Sequence, residues 1–208
     1  NGNCAVVCRN EKWGAIDRTG KIVIPLEWES LNPFDGKGHA IAKKNGKFGC
    51  IDYLEKVVVA FDWDLILDFD KTGYSIVLKS ENFGFINRTG EVVIPLEWQY
   101  ARRFQSNGLA IVSREKKYGC IDRSGKIVVA LEWDILEDFD ERGMAIAEKG
   151  RQCWFIDTCG KRLFSTGTAR PREFIRYAHQ TRAIAPNHPV VFSEFAKVEE
   201  NNKWGLVN

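Results

Sequence analysis

The chain has 208 residues, 44% of them apolar and 12% aromatic, with 30 basic against 28 acidic side chains. That is enough apolar material for a well-filled core and excludes an intrinsically disordered chain. No run approaches the roughly 18 consecutive apolar residues of a membrane span, and six cysteines with no Cys-x-x-Cys pair signal neither a disulfide framework nor a zinc ribbon.

In chain order the first predicted strand is the run Ala5-Val6-Val7, followed after a polar turn by Trp13-Gly14-Ala15-Ile16-Asp17. Asp17-Arg18-Thr19-Gly20 reads as a second turn, with Asp capping and Gly supplying a left-handed residue. A third strand follows at Lys21-Ile22-Val23-Ile24-Pro25, apolar on both faces of the pleat and therefore expected to be buried on both. Trp28 and Phe34 mark the outgoing segment, and a Gly-x-Ala run at Gly38-His39-Ala40 starts the cycle again. In this second copy the first turn is Asn45-Gly46, a strong hairpin signal because both central residues of a type I′ turn need positive φ.

The cycle then repeats every 35 residues. Its signature recurs at Phe48-Gly49-Cys50-Ile51-Asp52, Phe83-Gly84-Phe85-Ile86-Asn87 and Tyr118-Gly119-Cys120-Ile121-Asp122, and the outgoing rings at Trp63, Trp98 and Trp133, then Phe69, Phe104 and Phe139. Such a period denotes a repeat array whose units cannot bury their own surfaces and so cover one another. The predicted fold is all-β: tandem antiparallel three-stranded repeats in a stacked or toroidal, propeller-like array. A longer period of 70 overlies it, since the first and third copies share Val-Ile-Pro-Leu-Glu-Trp and the second and fourth share Gly-Cys-Ile-Asp and Val-Val-Ala.

The fifth copy is degenerate: Cys153-Trp154-Phe155-Ile156-Asp157 carries Trp in the Gly slot. After Phe174 the next run, Ala196-Lys197-Val198, arrives 16 residues late. The delay is an insertion, predicted as a short helix from Pro171 to Ala185, with Phe174, Ile175, Ala178 and Arg182 at helical spacing. Three segments result: the repeat array over 1–160, a degenerate end with the helical insertion over 161–193, and the start of a further repeat over 194–208. The chain opens and closes inside a repeat and lacks an initiator Met, so it is expected to be part of a longer protein, with reduced thiols and a cytoplasmic setting.

Candidate chemistry must compete with the repeat rule. All seven tryptophans are expected in the core rather than on a stacking platform. Asp17, Asp52, Asn87, Asp122 and Asp157 each precede a turn and are expected to cap it. The set Asp62, Asp64, Asp68 and Asp70 is dense enough to raise Ca²⁺, but lacks the glycine-punctuated loop of a calcium hand. Cys153 and Cys159 with His179 and His188 permit a thiol nucleophile or a zinc site on paper, though at no recognised spacing. Lys161 to Arg182 holds six basic residues against the single acid Glu173, and Arg170, Arg172, Arg176, His179 and Arg182 are the candidate partner-binding residues. No cofactor or metal is called for. The expected function is non-catalytic scaffolding of protein–protein interaction within a larger protein; nucleic-acid binding through the basic insertion is the alternative, and a Cys/His hydrolase or zinc enzyme a lesser one.

The pattern Lys12-Trp13-Gly14-Ala15-Ile16-Asp17, then Gly20-Lys21-Ile22-Val23-Ile24-Pro25, then an acidic residue beside an aromatic, closely resembles the WG-repeat (KWG) family of mainly bacterial proteins. The resemblance covers almost the whole chain and weakens where Phe48, Phe83 and Tyr118 replace the first Trp. It implies an all-β array used as a binding or accessory module, and its signature carries no catalytic residue across.

Overall fold

The computed structural model describes residues 4–167, 196–200 and 203–207, which fall in two compact units, one of Asn1–Phe104 with Arg123–Gly125 and one of Gln105–Asp122 with Lys126–Asn208. In the first unit β1 (Cys4–Arg9), β2 (Lys12–Asp17) and β3 (Ile22–Trp28) form one antiparallel sheet. The second sheet is β4 (Ser30–Leu31), β5 (His39–Lys44), β6 (Lys47–Asp52) and β7 (Val57–Trp63), side by side in chain order. The third is β8 (Leu65–Ile66), β9 (Ser75–Lys79), β10 (Asn82–Ile86) and β11 (Val92–Trp98), after which β12 (Tyr100–Ala101) closes the unit's strand list. In the second unit β13 (Ala110–Arg114), β14 (Lys117–Ile121) and β15 (Ile127–Trp133) pair consecutively. They are followed by β16 (Ile135–Leu136), β17 (Met144–Lys149), β18 (Gln152–Asp157) and β19 (Arg162–Gly167), then by the hairpin of β20 (Ala196–Glu200) and β21 (Lys203–Val207).

Every described element is a strand. The helix expected over Pro171–Ala185 lies outside the described residues, and no helix occurs among those that are described.

The three strands expected per repeat become four, because two residues after each Trp form a further strand. That strand joins the next sheet: Ser30 and Leu31 pair with Lys43 and Ala42, and Leu65 and Ile66 with Leu78 and Val77. Two residues are too few to register as a period. One residue, Glu29 or Asp64, makes the crossing, and it is anchored on the far side. Glu29 accepts the Gly46 N–H at 3.2 and 3.1 Å, and Asp64 Oδ2 accepts the Ser80 N–H at 2.9 Å, each at the hairpin tip of the sheet being entered.

Burial overturns the expectation for the Ile/Val runs. The strands buried on both faces are the inner ones, as in Ala40-Ile41-Ala42 and Gly84-Phe85-Ile86. The Ile/Val run is the outermost strand, and an outer strand has one covered face. In β3 only Ile24 and Trp28 are buried, and the same alternation recurs in β7, β11 and β15.

The signature glycines permit a backbone approach that a side chain forbids. A Cβ on Gly14 would lie 2.5 Å from Ile24 O, and one on Gly119 2.4 Å from Val129 O. The cause is a bulge: from Phe48↔Trp63 to Cys50↔Val59 one strand advances two residues while its partner advances four, and the partner's carbonyls fold over the glycine. In the fifth sheet Trp154 pairs with Ser165 and Cys153 with Gly167, so less chain is absorbed and the position admits a ring.

Candidate interaction site

Turn capping accounts for the recurring acids. Asp17 Oδ1 accepts the N–H groups of Thr19 at 2.8 Å and Lys21 at 3.0 Å; Asp52 does the same for Leu54 and Lys56, and Asp157 for Cys159 and Lys161. Each of the four acids raised for calcium has a separate partner. Asp62 pairs with Lys79, Asp64 with Lys47 at 2.5 Å, and Asp68 with Asn32 Nδ2 at 3.2 Å, while Asp70 caps Thr72 and Tyr74. Among the described residues no three His, Cys, Asp or Glu side chains gather to hold a metal. Lys47, followed by the Ser80 N–H, holds the Asp64 carboxyl below its usual range.

A cluster that sequence reasoning missed lies within the first unit. Asp35 caps the loop before β5 through the Lys37 and His39 N–H groups, at 2.8 and 3.0 Å, and receives Arg88 from the turn after β10 at 2.5 Å. The Arg88 guanidinium also lies over the Phe69 ring, 5.1 Å from its centroid. One period later Arg123 reaches Asp70 at 3.7 Å, hydrogen-bonds Thr72, and covers Tyr74 and Phe104 at 5.5 and 4.8 Å. Burial pushes both carboxyls up, yet the guanidinium at Asp35, the Thr72 hydroxyl at Asp70 and the backbone donors outweigh it, leaving both below the usual range. The missed signal is a spacing of 53: Asp35 to Arg88 and Asp70 to Arg123.

Beside this cluster, Asp68, Arg103, Tyr74 and Phe104 rim a shallow recess of about 10 Å³ floored by Ile76 and Phe85. That is smaller than the roughly 300–1,000 Å³ of small-molecule sites.

The outer strands present a different surface. Ile22, Val57, Val92 and Ile127, one per sheet at intervals of 35, are 48, 52, 47 and 42% exposed. The tryptophan expectation holds for Trp28, Trp63, Trp98 and Trp133, all buried, and fails for Trp13 and Trp154, while the Trp204 side chain lies outside the described residues. Trp13 is 37% exposed and Phe48, Phe83, Tyr118 and Trp154 are half-buried, because each stands near the hairpin tip where the sheet runs out into solvent. In the fifth sheet Arg162 takes the exposed apolar slot and lies over both Trp133 and Trp154, at 5.2 and 4.7 Å.

Of the two candidate thiols Cys153 is buried and Cys159 is exposed. Burial pushes the Cys50 and Cys120 thiols up to about 12. His179 and His188 lie outside the described residues, as do the candidate partner-binding residues Arg170, Arg172, Arg176, His179 and Arg182. Among the described residues no helix is long and apolar enough to cross a membrane.

The family model described as "WG containing repeat" matches residues 13–48, 48–82, 83–118 and 118–152. No curated protein matches the chain. Solved structures similar to it include Hsv2 of Kluyveromyces lactis, at 10% identity over 79% of this chain and 60% of that one, TM-score 0.46. A eukaryotic initiation factor matches at 8% identity over 80% and 52%, TM-score 0.49. A protein of unknown function from Bacteroides caccae matches at 15% identity over 78% and 77%, TM-score 0.32. The chain thus spans between half and three fifths of the length of the first two.

Proposed function

We propose that this chain, which belongs to the family of WG-containing repeat proteins, is a non-catalytic scaffold that presents its outer strands to a protein partner. The observation carrying this reading is the row Ile22, Val57, Val92 and Ile127. These are β-branched side chains left about half exposed at the same position of four sheets. Polar groups support the same reading, since the recurring carboxylates are engaged in caps and cross-strand pairs rather than converging on a reactive point. In this reading the basic stretch from Arg170 to Arg182 adds contacts to acidic groups on the partner.

The test compares wild type with the double variant Val57→Lys/Val92→Lys, each immobilised and exposed to soluble proteins of the source cell. The account expects a discrete partner on wild type, lost from a variant that melts like wild type. Equal retention by both would remove the outer strands from the reading.

A further inference from the structure

One turn in the first unit departs from the repeat. Between β6 and β7 the chain reads Asp52-Tyr53-Leu54-Glu55, where the corresponding turns read Asp17-Arg18-Thr19-Gly20 and Asn87-Arg88-Thr89-Gly90. Thr19 and Thr89 each return a hydroxyl to the capping oxygen, at 2.6 and 2.7 Å, a bond that Leu54 cannot make. Glu55 stands at φ 60° where Gly20 and Gly90 stand at 86° and 85°, so a residue with a Cβ occupies left-handed backbone. Both departures cost the turn locally, and burial does not offset them. Leu54 is 87% exposed, more than any other large apolar side chain among the described residues.

The turn is nevertheless firmly held. Asp52 Oδ1 accepts the N–H groups of Leu54 and Lys56, at 2.8 and 2.9 Å, while the Tyr53 ring stacks on Phe34 with centroids 4.5 Å apart and covers Gly38. Leu54 therefore projects from a fixed support. His39 pairs with Asp52, Ser75 with Ile86, and Arg88 reaches Asp35, so the loops before β5 and β9 lie along the same edge as this turn. Those loops carry Lys37 and Lys71, exposed like Lys56 beside Leu54, and among the described residues none of the three lysines has an ion-pair partner. The exposed acids of this edge in the second and third sheets are engaged, Asp68 by Asn32 and Arg103 and Glu91 by Asn87. Asp35, Asp52 and Asp70 are turned into their own loops as caps.

We propose that this edge of the first unit contacts an anionic lipid bilayer: Leu54 enters the boundary between headgroups and acyl chains, and Lys37, Lys56 and Lys71 meet the negative headgroups. Basic side chains around a rigid aliphatic projection match such a surface in both charge and polarity. An acidic protein surface would match the lysines but would also need a pocket shaped for Leu54, which a deformable bilayer does not. Contact through three lysines and one aliphatic side chain is weak, reversible and sensitive to salt. It does not use the exposed row of the outer strands, so it stands apart from the partner reading above.

Co-flotation of the chain at low salt with phosphatidylcholine vesicles, either pure or containing about 30% phosphatidylserine, tests it. Wild type is expected to float with the anionic vesicles and not with the neutral ones, and to be released by about 0.5 M salt. Leu54→Thr restores the residue used in the corresponding turns, so it keeps the fold, and it should weaken capture by about tenfold. Lys37→Glu/Lys56→Glu/Lys71→Glu, with all three changes on exposed side chains, should abolish capture. A wild type that floats with neither vesicle, or equally with both, overturns the proposal. So does an L54T variant that floats like wild type, which would leave charge alone, or a triple variant that melts like wild type and still floats.

Discussion

Arg88 Nη1 lies 2.5 Å from Asp35 Oδ2, although 53 residues separate them, and joins the turn of one sheet to the capped loop of the sheet before it. Both side chains are about one-third exposed or less, so the pair is worth more than a free surface ion pair, at about 1 kcal/mol. Asp35 titrates below its ordinary 3.8, so its contribution is fully present above that value and is lost as pH falls through the lower folded-state value. Arg88→Ala should therefore destabilise at neutral pH and flatten the loss of stability below about pH 4. Unfolding free energies of wild type and variant from pH 2 to 7 check both effects.

The signature glycines should differ in sensitivity. A Cβ on Gly119 meets Val129 O at 2.4 Å and Ala130 O at 2.9 Å, whereas on Gly84 the nearest atom is Ile94 O at 2.8 Å. Gly119→Ala is expected to cost about 3 kcal/mol and Gly84→Ala about 1 to 2 kcal/mol. Denaturant melts that rank them in the reverse order would contradict the bulge account.

Hairpin tips offer a stabilising change. Ser80 and Glu81 occupy left-handed backbone at φ 51° and 67°, where the second sheet uses Asn45 and Gly46 at 53° and 76°. Ser80→Asn/Glu81→Gly should stabilise by about 1 kcal/mol, because the substituted residues accept positive φ and the bond from residue 80 N–H to Asp64 is kept. Thermal melting decides it; a lowered Tm would mean the Ser–Glu tip has contacts of its own.

Buried and signature rings should separate by size of effect. Trp98→Ala is expected to cost about 3 to 5 kcal/mol, against about 1 kcal/mol for the partly exposed Trp13→Ala. Equal costs would put both rings in one core.

Much of this architecture is written in the chain, because a period of 35 repeats each local choice several times. The Asp17-type caps, the Asn45-Gly46 turn and the close approach at Gly14 each follow from a residue that has one good use there. What escaped depends on neighbours. Ile22 and Ile24 look alike in sequence, yet one faces solvent and the other the core, because β3 is a sheet edge and an edge is a property of the assembled sheet. Asp35 and Arg88 are unremarkable alone and meet only when two sheets stack. The candidate residues from Arg170 to Arg182 rest on charge alone, for there the repeat no longer dictates identity.

The central claim is that the outer strands face a partner, and hydrogen exchange by mass spectrometry on the chain with and without its captured partner tests it most directly. The account predicts slowed exchange over Val57–Trp63 and Val92–Trp98 on binding, with the inner strands unchanged because they are already protected. Protection confined to residues 161–193, with the outer strands exchanging as in the free chain, would contradict it.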